Sequence, residues 1–194
     1  MAYHSLEACL IDLEQNGQLV RIKEEVDPYL EMATIHHRVY KAGGPALLFE
    51  NVKGSRFRAA SNIFGTLDRS KFIFRDSLEQ MQMLINLKND PVSALKKPFQ
   101  HLGALFTAFT ALPLKNPINK PVLYQEISIQ DIPQIQHWPM DGGVFVTLPQ
   151  VYTEDDDQPG IMKSNLGMYR IQLTGNDYIP NKEIGLHYQL HRGI

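Results

Sequence analysis

Three things are scarce in this 194-residue sequence: cysteine, charge of one sign and long apolar runs. The single cysteine, Cys9, excludes an internal disulfide and fits a reducing compartment. Its place among Leu6, Leu10 and Leu13 reads as a small buried hydrophobe, not a nucleophile. A net charge of −2 with scattered basic residues leaves no electrostatic footprint for nucleic acid or an anionic membrane. No apolar stretch approaches the roughly 20 residues needed to span a bilayer. The N-terminus carries no basic segment followed by an apolar one, so the reading is a soluble, cytoplasmic protein. A Gly-rich phosphate loop, a nucleophile elbow and zinc-finger spacing are also missing from the sequence.

What is there patterns as an α/β unit followed by a β-rich stretch. Ser5 caps a helix carrying Leu6, Leu10 and Leu13, which Asn16-Gly17 ends. A strand follows, with Val20 and Ile22 alternating against Arg21 and Lys23. Asp27-Pro28 starts a second helix that stops before Gly43-Gly44. Pro45 to Val52 suits a buried strand, and Phe57 to Phe64 its antiparallel neighbour. The stretch from about Leu67 to Lys88 reads as helical with Leu78, Met81, Leu84 and Leu87 on one side, its methionines filling the core. Prolines then crowd Asp90 to Pro121, and a domain boundary is placed within 115–120. Beyond it, strands are expected at Val122–Ile129, Gly143–Leu148, Leu166–Leu173 and Ile184–His191, the last two forming a long-looped hairpin.

Three patches offer chemistry. In Trp138-Pro139-Met140-Asp141-Gly142-Gly143, the glycines permit positive φ or close backbone approach; the plain reading is a tight turn with Trp138 anchoring the core. In Asn165 to Arg170, Asn165 offers a hard oxygen to Mg²⁺ or Mn²⁺, and Arg170 a planar fork for carboxylate or phosphate. Residues five apart face opposite sides of a regular strand, so both serve one site only if Asn165 sits at the strand mouth or Gly167 breaks the alternation. In the third patch His187, Gln189 and His191 share one strand face, a spacing that can bind a transition metal. His36-His37 diverge on a helix, and the acidic run Glu154 to Asp157 reads as solvated surface.

Taken in order, Trp138-Pro139 with Asp141-Gly142-Gly143, then Asn165 to Arg170, then Gln189 to Gly193, together with Gly44 to Val52 earlier, resemble the UbiD family of decarboxylases. The resemblance spans almost the whole chain. It implies an α+β protein: an N-terminal α/β domain (1–117), then the truncated beginning of a flavin-reductase-like split β-barrel (118–194). It implies prenylated FMN as cofactor and a divalent metal, Mn²⁺ or Mg²⁺, with K⁺ as a further candidate ion. Asn165 and His191 match the family's metal ligands. Met168, Tyr169, Arg170, His187, Tyr188, Gln189, Arg192 and Gly193 match cofactor-lining positions, and Arg170 also reaches the reacting carboxylate. The expected substrate is an aromatic or other unsaturated acid, with quinone-pathway hydroxybenzoates the family default. The expected partners are a flavin prenyltransferase that supplies the cofactor and, in the full-length form, further copies of the same chain.

The family's third metal ligand and its acidic network would lie past Ile194, so these residues alone are expected to be inactive. Two other readings stay open: a split-barrel module that holds flavin or a partner without decarboxylation, and a remnant that assembles with a separate chain.

Overall fold

The computed structural model describes residues 3–89 and 125–187. In the first stretch, α1 (Leu6–Gln15), β1 (Leu19–Val26), α2 (Glu31–Lys41), β2 (Ala46–Val52) and β3 (Ala59–Ser61) precede α3 (Leu67–Ile73) and α4 (Leu78–Asn89). β2 lies central, parallel to β1 and antiparallel to β3. Because side chains alternate along a strand, β2 feeds two cores. Ala46 and Leu48 pack with Cys9, Leu13 and Leu19 under α1. Leu47 and Phe49 pack with Val26 and Met32 under α2. A parallel pair covered on both faces explains why β2 reads as a nearly continuous apolar run. Phe49 is fully buried, and Phe49→Ala is expected to cost about 4 kcal/mol, checked by denaturant unfolding.

Local signals hold where little competes with them. Ser5 accepts from the Ala8 amide at 3.1 Å and caps α1; Asn16 ends it, with Gly17 at φ 66°. Cys9 is buried and free. α2 stops ahead of Gly43, whose φ is 63°.

Several expectations are corrected. α2 begins at Glu31, not at Pro28. Asp27 instead accepts from the Tyr29 amide at 2.8 Å, while Glu31 reaches back to the Asp27 amide at 2.7 Å. Tyr29 bridges to Gln136, and Leu30 turns left-handed at φ 63°, so tertiary pairing delays the helix. Val20 is 49% exposed because β1 is the sheet's edge; Leu19, Ile22 and Val26 do the packing. The helical stretch expected over Leu67–Lys88 is present, as two helices. Arg75 stacks over Phe72 at 4.1 Å, donates to the Phe72 carbonyl at 2.8 Å and pairs with Asp12 of α1, which pins the end of α3 and turns the chain. Leu78, Met81 and Met83 of α4 are exposed, so these methionines fill no core among the described residues. The strand expected at Phe57–Phe64 shortens to β3.

Of the strand expected at Val122–Ile129, residues 122–124 lie outside the described residues, residues 125–128 are irregular, and Ile129–Asp131 is a 3-10 turn boxed by Ser128 and Asp131. Then come β4 (Phe145–Val146), β5 (Gln150–Glu154), β6 (Ser164–Met168), β7 (Arg170–Gln172) and β8 (Gly185–His187). They form two small sheets, β4-β7-β8 and β5-β6. The long-looped hairpin is present as β7–β8, with Arg170 opposite His187. The acidic run from Glu154 ends in an exposed turn in which the Asp155 carboxylate accepts from the amides of Asp157 and Gln158. Among the described residues no helix is long and apolar enough to cross a membrane.

Candidate functional site

The parity problem between Asn165 and Arg170 is resolved at Tyr169, not Gly167. Gly167 stays in the β5–β6 ladder opposite Val151. The chain changes sheets after Met168, so Arg170 opens β7 in the other sheet. A β-carbon on Gly167 would lie 2.8 Å from the Tyr169 ring, so the glycine lets that ring fold back against β6. There the Asn165 amide nitrogen donates to the Tyr169 hydroxyl at 2.7 Å. This fixes the amide, leaving its oxygen as the end suited to a hard cation. Met168 is exposed.

Arg170 has a different setting. Its Nη2 donates to the Asp141 carboxylate at 2.8 Å, and its guanidinium lies over the Phe145 ring, 3.5 Å from the centroid. Phe145, buried, meets the His187 ring edge-on at 5.4 Å. His187 Nε2 donates to the side-chain oxygen of Gln172 at 2.8 Å. Gln172, also buried, donates in turn to the carbonyls of Gly142 and Thr174. One contact chain therefore ties the Trp138–Gly143 turn to β7 and β8. The close approach expected of the paired glycines occurs here: a β-carbon on Gly143 would meet the Thr174 carbonyl at 1.9 Å. Trp138 is not a core anchor; it is 62% exposed. Its backbone is what the turn holds, because Asp141 also accepts from the Trp138 amide at 3.2 Å.

Arg170 lines a cleft of about 620 Å³ together with Leu30, Ala33, Arg38, Tyr40, Trp138 and Pro139. That volume, largely apolar with two arginines in its lining, is of the size and chemistry that take a planar anionic ligand. Among the described site residues expected from the sequence, Arg170 alone lines this cleft; Asn165, Met168 and Tyr169 sit with the β5–β6 ladder, and His187 behind Phe145. Tyr188, Gln189, His191, Arg192 and Gly193 lie outside the described residues. Among the described residues no group of three His, Cys, Asp or Glu side chains could hold a metal ion.

His137 was not singled out from the sequence. Its Nδ1 is buried without a hydrogen-bond partner among the described residues. It shares a cavity of about 160 Å³ with His36, whose Nδ1 is hydrogen-bonded to the Ser61 hydroxyl at 2.6 Å. Burial holds the His137 imidazole below the usual range; the Arg170 guanidinium adds to this and Asp141 opposes it. Burial likewise lowers His36, with His37 adding to the effect. A depressed histidine pKa means the unfolded chain binds the proton more readily. Stability is therefore full above the ordinary value of about 6.5 and falls as pH drops toward the folded pKa. Thermal melts from pH 7.5 to 5 should show the midpoint falling, and His137→Leu should flatten that fall.

Two family models match the sequence. The 3-octaprenyl-4-hydroxybenzoate carboxy-lyase N-terminal domain matches residues 10–88, and the Rift-related domain of the same enzyme matches residues 113–194. The chain belongs to the UbiD family. A UbiD-family relative in Chlamydia pneumoniae, named as one subunit of a 4-hydroxybenzoate decarboxylase, is 35% identical over 185 residues, covering 91% of this chain and 29% of the relative. The vanillic acid decarboxylase of Sedimentibacter hydroxybenzoicus, in its closed form, superposes with a TM-score of 0.66 at 25% identity, covering 97% of this chain and 38% of that one. An evolved dimeric form of the UbiD-class enzyme HmfF from Pelotomaculum thermopropionicum, in complex with prFMN, gives 0.62 at 23% identity over 96% of this chain and 39% of its own, a likeness of fold alone. The chain spans about a third of the length of the curated relatives it matches. It is a mixed α/β chain that matches the N-terminal and Rift-related domain models of that carboxy-lyase.

Proposed function

We propose that this chain is the N-terminal part of a prenylated-FMN-dependent, non-oxidative decarboxylase acting on an aromatic or other unsaturated carboxylic acid. The observation that carries the reading is Arg170: a guanidinium fixed by Asp141 and Phe145 at the edge of a mostly apolar cleft. Planar donors fixed in advance suit a carboxylate that must be held in one orientation while its bond to carbon breaks. Trp138, Pro139 and Leu30 supply apolar walls beside that carboxylate. The names of relatives support the class, since the one in Chlamydia pneumoniae is named for 4-hydroxybenzoate decarboxylase. Hydroxybenzoate-type acids are therefore the first substrates to try.

When bound, the modified flavin supplies the acceptor for the electron density left behind as CO₂ departs. Asn165 and His191 would hold Mn²⁺ or Mg²⁺ through an amide oxygen and an imidazole nitrogen, a donor set that suits either ion. Met168, Tyr169, His187, Tyr188, Gln189, Arg192 and Gly193 would line the flavin. We divide the chain at 117/118, with the second unit the start of a split β-barrel; the two family matches fall largely on either side of that point. Because the relatives are about three times as long, these 194 residues by themselves are expected not to turn over. A reading in which a separate chain completes the enzyme has one observation in its favour: the Chlamydia pneumoniae relative is itself named as part of a multi-chain decarboxylase.

Native mass spectrometry of the full-length protein, expressed with and without a flavin prenyltransferase, tests the cofactor assignment. The expected species carries prenylated FMN and one divalent ion only when the prenyltransferase is present. Retention of unmodified FMN alone, or of no flavin, in both preparations contradicts it.

A further inference from the structure

We infer that Asp141 is a positioning residue for Arg170, setting the angle at which the guanidinium meets an incoming carboxylate. The inference rests on the reading of Arg170 given above. One carboxylate oxygen of Asp141 accepts from two groups at once, the Arg170 Nη2 at 2.8 Å and the Trp138 amide at 3.2 Å. The Asp141 amide in turn donates to the Trp138 carbonyl at 3.0 Å, closing the turn on itself. The Asp141 side chain is 11% exposed, against 36% for Arg170, so the acid is the fixed end of the pair and the guanidinium the end that meets solvent. Phe145 underlies the guanidinium plane and is itself buried. A planar cation held at one edge by an acid and on one face by a ring has a single remaining orientation for its other donors. Those donors point the fork at a ligand without the entropy cost of ordering a free arginine.

Asp141 thereby couples the turn at Trp138, which walls the cleft, to the cation that would anchor the substrate. Changes in that turn are transmitted to Arg170 through a single carboxylate oxygen. The role needs no contact of Asp141 with substrate, because Oδ2 alone joins the turn to the arginine.

The test uses the full-length protein loaded with prenylated FMN, with benzoate as a non-reacting probe. Calorimetric titration of benzoate is compared across the parent, Asp141→Ala, Asp141→Asn and Arg170→Ala, together with flavin content and melting temperature. The expected result is benzoate affinity about tenfold weaker or more in Asp141→Ala, with flavin content unchanged. Asp141→Asn, which keeps an acceptor oxygen, should recover part of that loss, and Arg170→Ala should lose at least as much as Asp141→Ala. Asp141→Ala binding within twofold of the parent, while Arg170→Ala loses benzoate, overturns the positioning role and leaves the role of Arg170 intact. Loss of flavin and a lower melting temperature in both Asp141 variants, in step with lost affinity, would make Asp141 merely structural and also overturn it. Parent-like binding by Arg170→Ala would overturn the reading of Arg170 and this inference with it.

Discussion

Replacing Arg170 by alanine is expected to lower kcat/KM for the acid by about 10³-fold in the full-length, flavin-loaded protein. The guanidinium is braced by Asp141 and by the Phe145 ring, so its donors are fixed before substrate arrives. Groups fixed in this way contribute most where charge must be held while a bond breaks, because no reorganisation is needed at that moment. Arg170→Lys should recover only a minor part. An ammonium is a point charge and cannot keep the Asp141 contact while presenting a planar pair of donors. Steady-state assays with flavin content measured on the same samples separate this effect from cofactor loss.

The second large effect falls on stability. Arg69 is 4% exposed and donates to three backbone carbonyls: Ile63 at 3.0 Å, Gly44 at 3.1 Å and Asn62 at 2.8 Å. Burial lowers its pKa, and carbonyl dipoles balance its charge. The neighbouring Asn62, left-handed at φ 57°, donates to the carbonyls of Gly44 and Pro45. Together the two side chains fasten the entry of β2 to the end of β3 and the start of α3. Arg69→Ala would remove a donor from three carbonyls, of which Gly44 keeps the Asn62 side-chain amide and Asn62 keeps the Gly65 amide, and would leave a void beneath α3, at a cost of about 3 kcal/mol. Denaturant unfolding should show this as a lower midpoint with an unchanged slope. A change below about 1 kcal/mol would mean water replaces the guanidinium at little cost.

Neither Arg69 nor His137 was legible in the sequence, and the reason is common to both. Each owes its importance to partners that only folding brings near it, and an isolated Arg or His in a mixed stretch carries no spacing signal. Asp141 lies within the Trp138–Gly143 motif, which by itself assigns it no role. Its place three residues after Trp138, where a carboxylate can reach back to a backbone amide, is the local hint that was available. The legible parts were those decided locally: the Ser5 cap, the apolar run of β2 and the β7–β8 hairpin. Where a tertiary contact competed, local signals lost. Tyr29 pairing with Gln136 delayed α2 past Pro28, and Arg75 clamped to Asp12 and Phe72 divided the helical stretch in two. The family, by contrast, was legible because its motifs are strings of adjacent residues whose order alone is diagnostic. The placement of Asn165 and Arg170 in separate sheets depended on where the chain crosses between them, which alternation along one strand does not encode.

The most direct test of the central claim is CO₂ release by the full-length protein. It should be expressed with a flavin prenyltransferase and offered a panel of aromatic and α,β-unsaturated acids that includes 4-hydroxybenzoate. The account predicts CO₂ and an equal amount of the decarboxylated product from at least one acid, dependent on the prenylated flavin and lost in Arg170→Ala. Protein shown to be loaded with the prenylated flavin that neither releases CO₂ nor exchanges product hydrogen with deuterated solvent across the panel would contradict it.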